Sequence, residues 1–143
     1  MSDILETTDR YRWFCPITTR WMDNDVYGHV NNVTYYSYFD SAANLFLIRE
    51  GGLDIVASPV IGLVVESQCR YREAVAYPDV IRAGVRVDKL GNRSVTYGIG
   101  IFRDNEDRAC AHGHFVHVFV DRATRQAVPI PETMRTALQT IVI

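Results

Sequence analysis

Two carboxylates and an imidazole crowd into one short stretch of the chain. Asp23, Asp25 and His29 lie in the string Arg20-Trp21-Met22-Asp23-Asn24-Asp25-Val26-Tyr27-Gly28-His29-Val30-Asn31-Asn32. The residues that follow have helical spacing, so these groups sit just before a helix start. A helix N-terminus presents unpaired N–H groups and partial positive charge. Such an end can hold a carbonyl oxygen and stabilise negative charge developing on it, as an oxyanion hole does. A carboxylate beside it can serve as general base or nucleophile. Together the parts suit acyl-transfer chemistry. Asp, Asn and Gly ahead of a helix also satisfy plain turn and capping chemistry, and a lone His after Gly can be structural. The residue pattern alone leaves both readings open.

The helix that would position these groups is predicted over about residues 32–50. Tyr35, Phe39, Ala42 and Phe46 recur there at three- and four-residue spacing, and Gly51-Gly52 end it. Its apolar positions extend around much of the circumference, which predicts a buried helix. Ahead of it, Ile17, Thr19 and Trp21 alternate with polar neighbours as a first strand, and Pro16 suits a sheet edge or a bulge. After the helix the period becomes two. Leu63, Val65, Ser67, Cys69 and Tyr71 predict one face of a second strand, and Ile81, Ala83, Val85 and Val87 one face of a third. Leu90-Gly91-Asn92 marks a tight turn. The fourth strand sets Val95, Tyr97, Ile99 and Ile101 against a face of Ser94, Thr96, Gly98 and Gly100. Small residues admit a close neighbour, and the long helix is the expected one. A fifth strand is predicted over about 109–120, and a short helix over 132–140 behind Pro129 and Pro131. Strands joined by short turns pair antiparallel, and one helix across such a sheet makes an α+β fold. Its open edges predict association of copies.

Composition narrows the function classes. The 143 residues make one domain, with residues 1–10 polar and loosely held in this reading. A hydrophobic share of 48% argues against disorder. Lys and Arg number 15 against 17 Asp and Glu, with no basic run, so nucleic acid is not an expected partner. The acidic start does not read as a signal peptide, and the longest apolar segment, residues 60–65, is too short for a bilayer. No membrane partner and a cytoplasmic location are expected. Cys15, Cys69 and Cys110 are odd in number and widely spaced, as reduced thiols would be. His112 and His114 have a spacing that metal ligands can use, but no third ligand accompanies them, and a structural role is expected. Tyr35, Tyr36, Tyr38 and Phe39 read as core packing.

The string before the helix resembles the signature of the 4-hydroxybenzoyl-CoA thioesterase-like branch of the hotdog-fold superfamily. Members carry Asp-x-Asp-x-x-Gly-His-Val-Asn-Asn ahead of a central helix. Asp23, Asp25, Gly28, His29, Val30, Asn31, Asn32 and Tyr35 match. The likeness continues through Tyr71-Arg72, Tyr77-Pro78-Asp79, Leu90-Gly91, Ser94, Val118-Phe119-Val120-Asp121 and Pro129-Ile130-Pro131, spanning about residues 11–138. It implies a hotdog fold, with a five-stranded antiparallel sheet wrapped around one long helix and a short C-terminal helix. It implies hydrolysis of an acyl-CoA to free acid and CoA, with Asp25 as general base or nucleophile and a backbone N–H near Asn32 polarising the carbonyl.

His29 is a second catalytic candidate by likeness to plant acyl-carrier-protein thioesterases. Those enzymes carry Asn where this chain has Tyr27, so a loop-organising role stands equally. Asn32 and Tyr35 are the substrate-binding candidates at the helix start. Lys89, Asn92, Arg93 and Ser94, at the turn between two strands, are candidates for the CoA phosphates, with a solvated turn as the alternative. The resemblance implies no metal or redox cofactor, and a homodimer or homotetramer. The competing functions are hydration or dehydration of an acyl thioester, and a non-catalytic module that binds one.

Overall fold

The computed structural model describes residues 5–143. Five strands, β1 Trp13–Thr18, β2 Val60–Tyr71, β3 Val80–Leu90, β4 Ser94–Arg103 and β5 Ala111–Asp121, form one antiparallel sheet in the order β1-β3-β4-β5-β2. The long helix α1, Thr34–Arg49, lies between β1 and β2 in the chain, and α2, Glu132–Gln139, closes it. This is the hotdog architecture. No helix among the described residues is long and apolar enough to cross a membrane.

Periodicity explains how α1 is held. Tyr35, Tyr38, Phe39, Ala42, Ala43, Phe46 and Leu47 are buried, at the three- and four-residue steps that line one face of a helix. They join Val85, Val87, Tyr97, Ile99 and Ile101 of the sheet in one core, with Met134 and Leu138 of α2. Each large side chain so buried contributes about 1.5–3 kcal/mol. The helix is thus one-sided within a single chain: Ser37, Asp40, Ser41 and Ile48 stay exposed.

Three local expectations are corrected by tertiary contacts. The first strand ends at Thr18, and Trp21 sits in a 3-10 turn, Trp21–Asp23, where it is exposed. The alternation that faces the core is Trp13, Cys15 and Ile17 instead, with Trp13 edge-on to Phe46 at 5.3 Å. Pro16 does lie on a sheet edge, since among the described residues β1 pairs only with β3. The second correction is a bulge in β2 between Val64 and Glu66. Val64 opposes His117 and Ser67 opposes Phe115, so Gly62 and Val64 share the helix side with Ser67, Cys69 and Tyr71, and Leu63 turns to the other face.

The third concerns Gly98 and Gly100, which do not meet α1. A Cβ on Gly98 would strike the Arg86 guanidinium, and one on Gly100 would lie 2.8 Å from the Tyr11 ring. The segment before β1 covers this face. Glu6 is buried and accepts from Arg86 at 2.7 Å, Arg10 at 2.7 Å and Tyr11 at 2.8 Å. Residues 5–10 are thereby tied down, where a loosely held stretch was expected; residues 1–4 lie outside the described residues.

The three cysteines are free thiols, with Cys15 and Cys110 buried and Cys69 half-buried.

One buried polar pair sets a pH dependence. The Tyr97 hydroxyl shares a 3.1 Å hydrogen bond with His117 Nδ1, while Nε2 has no partner among the described residues. Burial pushes the imidazole down to about 4 from an ordinary 6.5. The unfolded chain therefore binds the extra proton first as pH falls. The stability from keeping His117 neutral is complete above about 6.5 and is lost progressively towards 4, a span worth about 3 kcal/mol. Urea unfolding between pH 7 and 4 should show that decline. A His117→Leu/Tyr97→Phe double variant should flatten it, and an unchanged slope would assign the decline to other groups.

Candidate active site

The loop between β1 and α1 separates its two aspartates into different tasks. Asp23 is 2% exposed. One carboxylate oxygen accepts the Arg20 backbone N–H at 2.9 Å and the Tyr38 hydroxyl at 2.8 Å, and the other accepts Arg20 Nε at 3.0 Å. Burial pushes its pKa up, but the bonds from Tyr38 and Arg20 outweigh that and hold the carboxyl below the usual range. Its backbone carbonyl also accepts the Asn31 N–H at 2.9 Å. Asp23 is therefore a clamp joining both ends of the loop to α1.

Asp25 is held differently. Its Oδ1 accepts the Tyr27 N–H at 2.8 Å, whereas Oδ2 lies 3.8 Å from His29 Nδ1, beyond hydrogen-bond length. The backbone fixes the side chain. Asp25 N–H donates to the His29 carbonyl at 2.9 Å, and Gly28 N–H donates to the Asp25 carbonyl at 3.1 Å. Gly28 has φ +87°, a left-handed conformation that a side chain at this position would strain. Val30 N–H donates to the Val75 carbonyl at 2.6 Å, and Asn24 Oδ1 accepts the Tyr77 N–H at 3.0 Å, pinning the loop to the lead-in of β3. The result is a carboxylate, 18% exposed, with one oxygen unassigned.

The start of α1 supplies the complementary group. Asn31 takes the Val33 N–H on its side chain at 2.9 Å and the Thr34 N–H on its carbonyl at 2.9 Å. Asn32 N–H has no hydrogen-bond acceptor among the described residues. The Asn32 carbonyl accepts the Tyr71 hydroxyl at 2.9 Å, which ties the following peptide, Asn32–Val33, to the end of β2.

Asp25, His29, Val30 and Asn32 of the loop, Tyr35 of α1, and Tyr71 with residues 72–74 line one cleft of about 230 Å³. A larger groove of about 680 Å³ is lined by Trp21, Val26 and Tyr27 among others. Asp25 and Asn32 belong to both.

Residues 19–138 match the model of the thioesterase-like superfamily. The chain belongs to this superfamily. Its fold is similar to that of the PA5185 protein from Pseudomonas aeruginosa strain PAO1, at 51% identity, a TM-score of 0.95 and 97% coverage of each chain. The protein YsmA of Bacillus subtilis (strain 168) is 25% identical over 118 residues, 82% of this chain and 79% of its own. The gentisyl-coenzyme A thioesterase BH1999 shares the fold at 21% identity, with a TM-score of 0.78 over 88% of this chain and 99% of its own.

Of the residues singled out in the sequence, this thioesterase-like fold brings Asp25, His29, Asn32 and Tyr35 to one cleft. Asn92 and Arg93 are exposed on the β3–β4 turn, Lys89 is exposed near the end of β3, and Ser94, the first residue of β4, is half-buried. Arg135 binds the Gly91 carbonyl at 2.6 Å and holds that turn. The turn stands at one end of β4, and the cleft at the other, where Arg103 donates to the Ala74 carbonyl at 2.8 Å. Ten residues of strand, about 30 Å, separate them within one chain.

Sequence reading gave no site role to Tyr71, Arg72 or Glu73. Glu73 is bonded by both Arg72 and Arg103, which hold its carboxyl below the usual range. The Tyr71–Asn32 contact joins residues 39 apart, so no local spacing announces it.

His114 Nε2 pairs with Glu66 across β2 and β5 at 2.9 Å, and His112 is half-buried. Among the described residues, no group of three or more His, Cys, Asp or Glu side chains is placed to hold a metal ion.

His29 contacts the loop weakly. Its Nδ1 is 3.3 Å from the Val30 carbonyl, and its ring stacks on Tyr27 at 6.3 Å. His29→Ala is expected to slow turnover about tenfold, less than the ~10²–10⁴ of a lost general acid or base. Steady-state rates alongside urea unfolding decide its role: an unchanged rate with lowered stability would make it purely structural.

Proposed function

We propose that this protein hydrolyses acyl-CoA thioesters, with Asp25 as the catalytic carboxylate and the start of α1 as the oxyanion site. The observation that carries the reading is the division of labour in the loop. Every bond of the buried Asp23 is structural, while Asp25 lines a cleft together with Asn32, and neither Asp25 Oδ2 nor the Asn32 N–H has a hydrogen-bond partner among the described residues. The thioester carbonyl accepts from Asn32 N–H, and Asp25 takes a proton from water as the hydroxyl adds to the carbonyl carbon. The C–S bond then breaks, the CoA sulfur leaves as thiolate and is protonated, and the free acid departs. Direct attack by Asp25, through a mixed anhydride that water then opens, gives the same products. Neither route calls for a metal or redox group. Tyr35 and Tyr71 wall the cleft as rigid apolar surfaces for the acyl group.

A homodimer formed through β2 belongs to the same reading. The two sheet edges differ: β1 has six residues and contains Pro16, while β2 has twelve, with Val64 and Val65 exposed. Proline blunts an edge, and a long apolar one invites pairing. Antiparallel pairing of two β2 strands about a two-fold axis sets the Val60 end of one beside the Tyr71 end of the other. The β3–β4 turn stands at the Val60 end, since Phe119, which opposes Gly62, donates its N–H to the Arg93 carbonyl at 2.8 Å. Such a dimer brings the partner's Lys89, Asn92, Arg93 and Ser94 towards the cleft, where CoA phosphates need cations.

The test is thiol release from a panel of aromatic, short-chain and long-chain acyl-CoAs. Hydrolysis releases one thiol per thioester consumed. A change in enoyl absorbance without thiol would make the protein a hydratase, and binding without turnover would make it a carrier module.

A further inference from the structure

Tyr71, the last residue of β2, places its ring against the start of α1 and its hydroxyl on a backbone carbonyl there. The ring stands edge-on to the buried Tyr35, with centroids 5.1 Å apart and planes at 83°. The hydroxyl donates to the Asn32 carbonyl at 2.9 Å, across 39 residues of chain. A carbonyl cannot donate, so Tyr71 commits its single O–H proton to this bond.

The carbonyl it takes is one that the helix leaves over. Thr34 N–H donates to the Asn31 carbonyl at 2.9 Å and Tyr36 N–H to the Val33 carbonyl at 3.2 Å, passing Asn32 by. With the bond from Val33 N–H to Asn31 Oδ1 at 2.9 Å, these contacts set the shape of the turn over residues 31–33. They do not set its place. A peptide is planar, so the Asn32 N–H points wherever the turn as a whole is held. Two bonds from outside hold it: Asn31 N–H to the Asp23 carbonyl at 2.9 Å on the loop side, and Tyr71 on the sheet side. Among the described residues, Tyr71 makes the one hydrogen bond from the sheet to residues 31–33.

We infer that Tyr71 is a positioning residue for hydrolysis, its hydroxyl holding the turn so that the Asn32 N–H meets the thioester oxygen. The inference rests on the reading of that N–H as the oxyanion donor, and it gives a role in rate to a side chain that otherwise walls the cleft. Such a donor works because it is fixed in advance where charge develops. A displacement of ~1 Å can cost ~10² in rate. The Asp23 anchor survives without Tyr71, so the loss stays below that of removing the donor itself.

Tyr71→Phe tests it, because the ring and its contact with Tyr35 remain and the hydroxyl alone goes. The kcat for thiol release is expected to fall about 10- to 100-fold, with KM nearly unchanged and the pH–rate profile unmoved. Infrared spectra of a bound CoA thioether ketone, isotope-labelled at the carbonyl carbon, give a readout that lost folding does not move. Polarisation lowers the carbonyl stretching frequency, so the band of the variant should lie above that of the parent. A variant with the kcat and the band of the parent would overturn the inference. So would a raised KM at unchanged kcat, which would leave Tyr71 a wall of the acyl pocket. A shifted pH–rate profile would make its hydroxyl an acid or base instead, and a lowered kcat with an unmoved band would assign the loss to stability; either overturns the positioning role. The spectrum needs binding only, so it judges Tyr71 in a parent that releases no thiol, a result that would sink the hydrolase reading by itself. A parent that binds no ketone would sink both.

Discussion

Asp25→Asn is expected to fold and associate as the parent does and to lose at least ~10²-fold in thiol release. Stability should survive because the bond that Asp25 makes in the loop is from the Tyr27 N–H to Oδ1, and an amide oxygen accepts it equally well. The backbone bonds to His29 and Gly28 do not involve the side chain. What disappears is the anionic Oδ2 of a residue that lines the cleft, which an amide nitrogen cannot replace as base or nucleophile. What remains is the helix-start N–H, and one such donor is itself worth ~10²–10³ in rate. A residual rate above water is therefore expected. Steady-state kinetics and urea unfolding of the same preparation check both halves; a variant as active as the parent would remove Asp25 from the mechanism.

Asp23→Ala is expected to do the reverse, failing first in stability. Its carboxylate joins the Arg20 backbone, the Arg20 side chain and the buried Tyr38 hydroxyl. Removing it strands the Tyr38 hydroxyl inside the core and a backbone N–H at the turn. Leaving buried donors unsatisfied costs about 1–3 kcal/mol, more when the missing partner was charged. Because Asp23 also clamps the loop that carries Asp25, activity should fall with stability, and osmolytes that favour the compact state should restore part of both. Asp23→Asn should be milder, since it keeps an acceptor for Tyr38. Denaturation midpoints for the two variants decide this: a stable but inactive Asp23→Ala would place Asp23 in the chemistry and not in the scaffold.

The two aspartates show what sequence can and cannot convey. Their types and spacing mark the loop, but what distinguishes them is Tyr38, fifteen residues away on the buried face of α1. The helix itself is legible because Tyr35, Phe39, Ala42 and Phe46 repeat a pattern that only one secondary structure satisfies. Strands β3 and β4 are legible for the same reason. In β2 the alternation puts Leu63 on one face with Ser67, Cys69 and Tyr71, but a single extra residue at the bulge inverts it over the first half of the strand. Gly98 and Gly100 correctly signalled a close neighbour, yet small residues do not say which one. The buried Glu6–Arg86 pair, 80 residues apart, brings Tyr11 there and leaves α1 to the other face. Tyr71 carries no sequence mark of a site residue for a related reason: its hydroxyl acts on a backbone carbonyl, which has no sequence signature.

The most direct test is a crystal structure of the Asp25→Asn protein with a CoA thioether ketone, which keeps the carbonyl and cannot be hydrolysed. The ketone oxygen should lie about 2.7–3.1 Å from the Asn32 N–H, its carbon facing the side chain at position 25. A ligand bound with its carbonyl away from the start of α1, or a residue 25 turned from it, would contradict the account at its root.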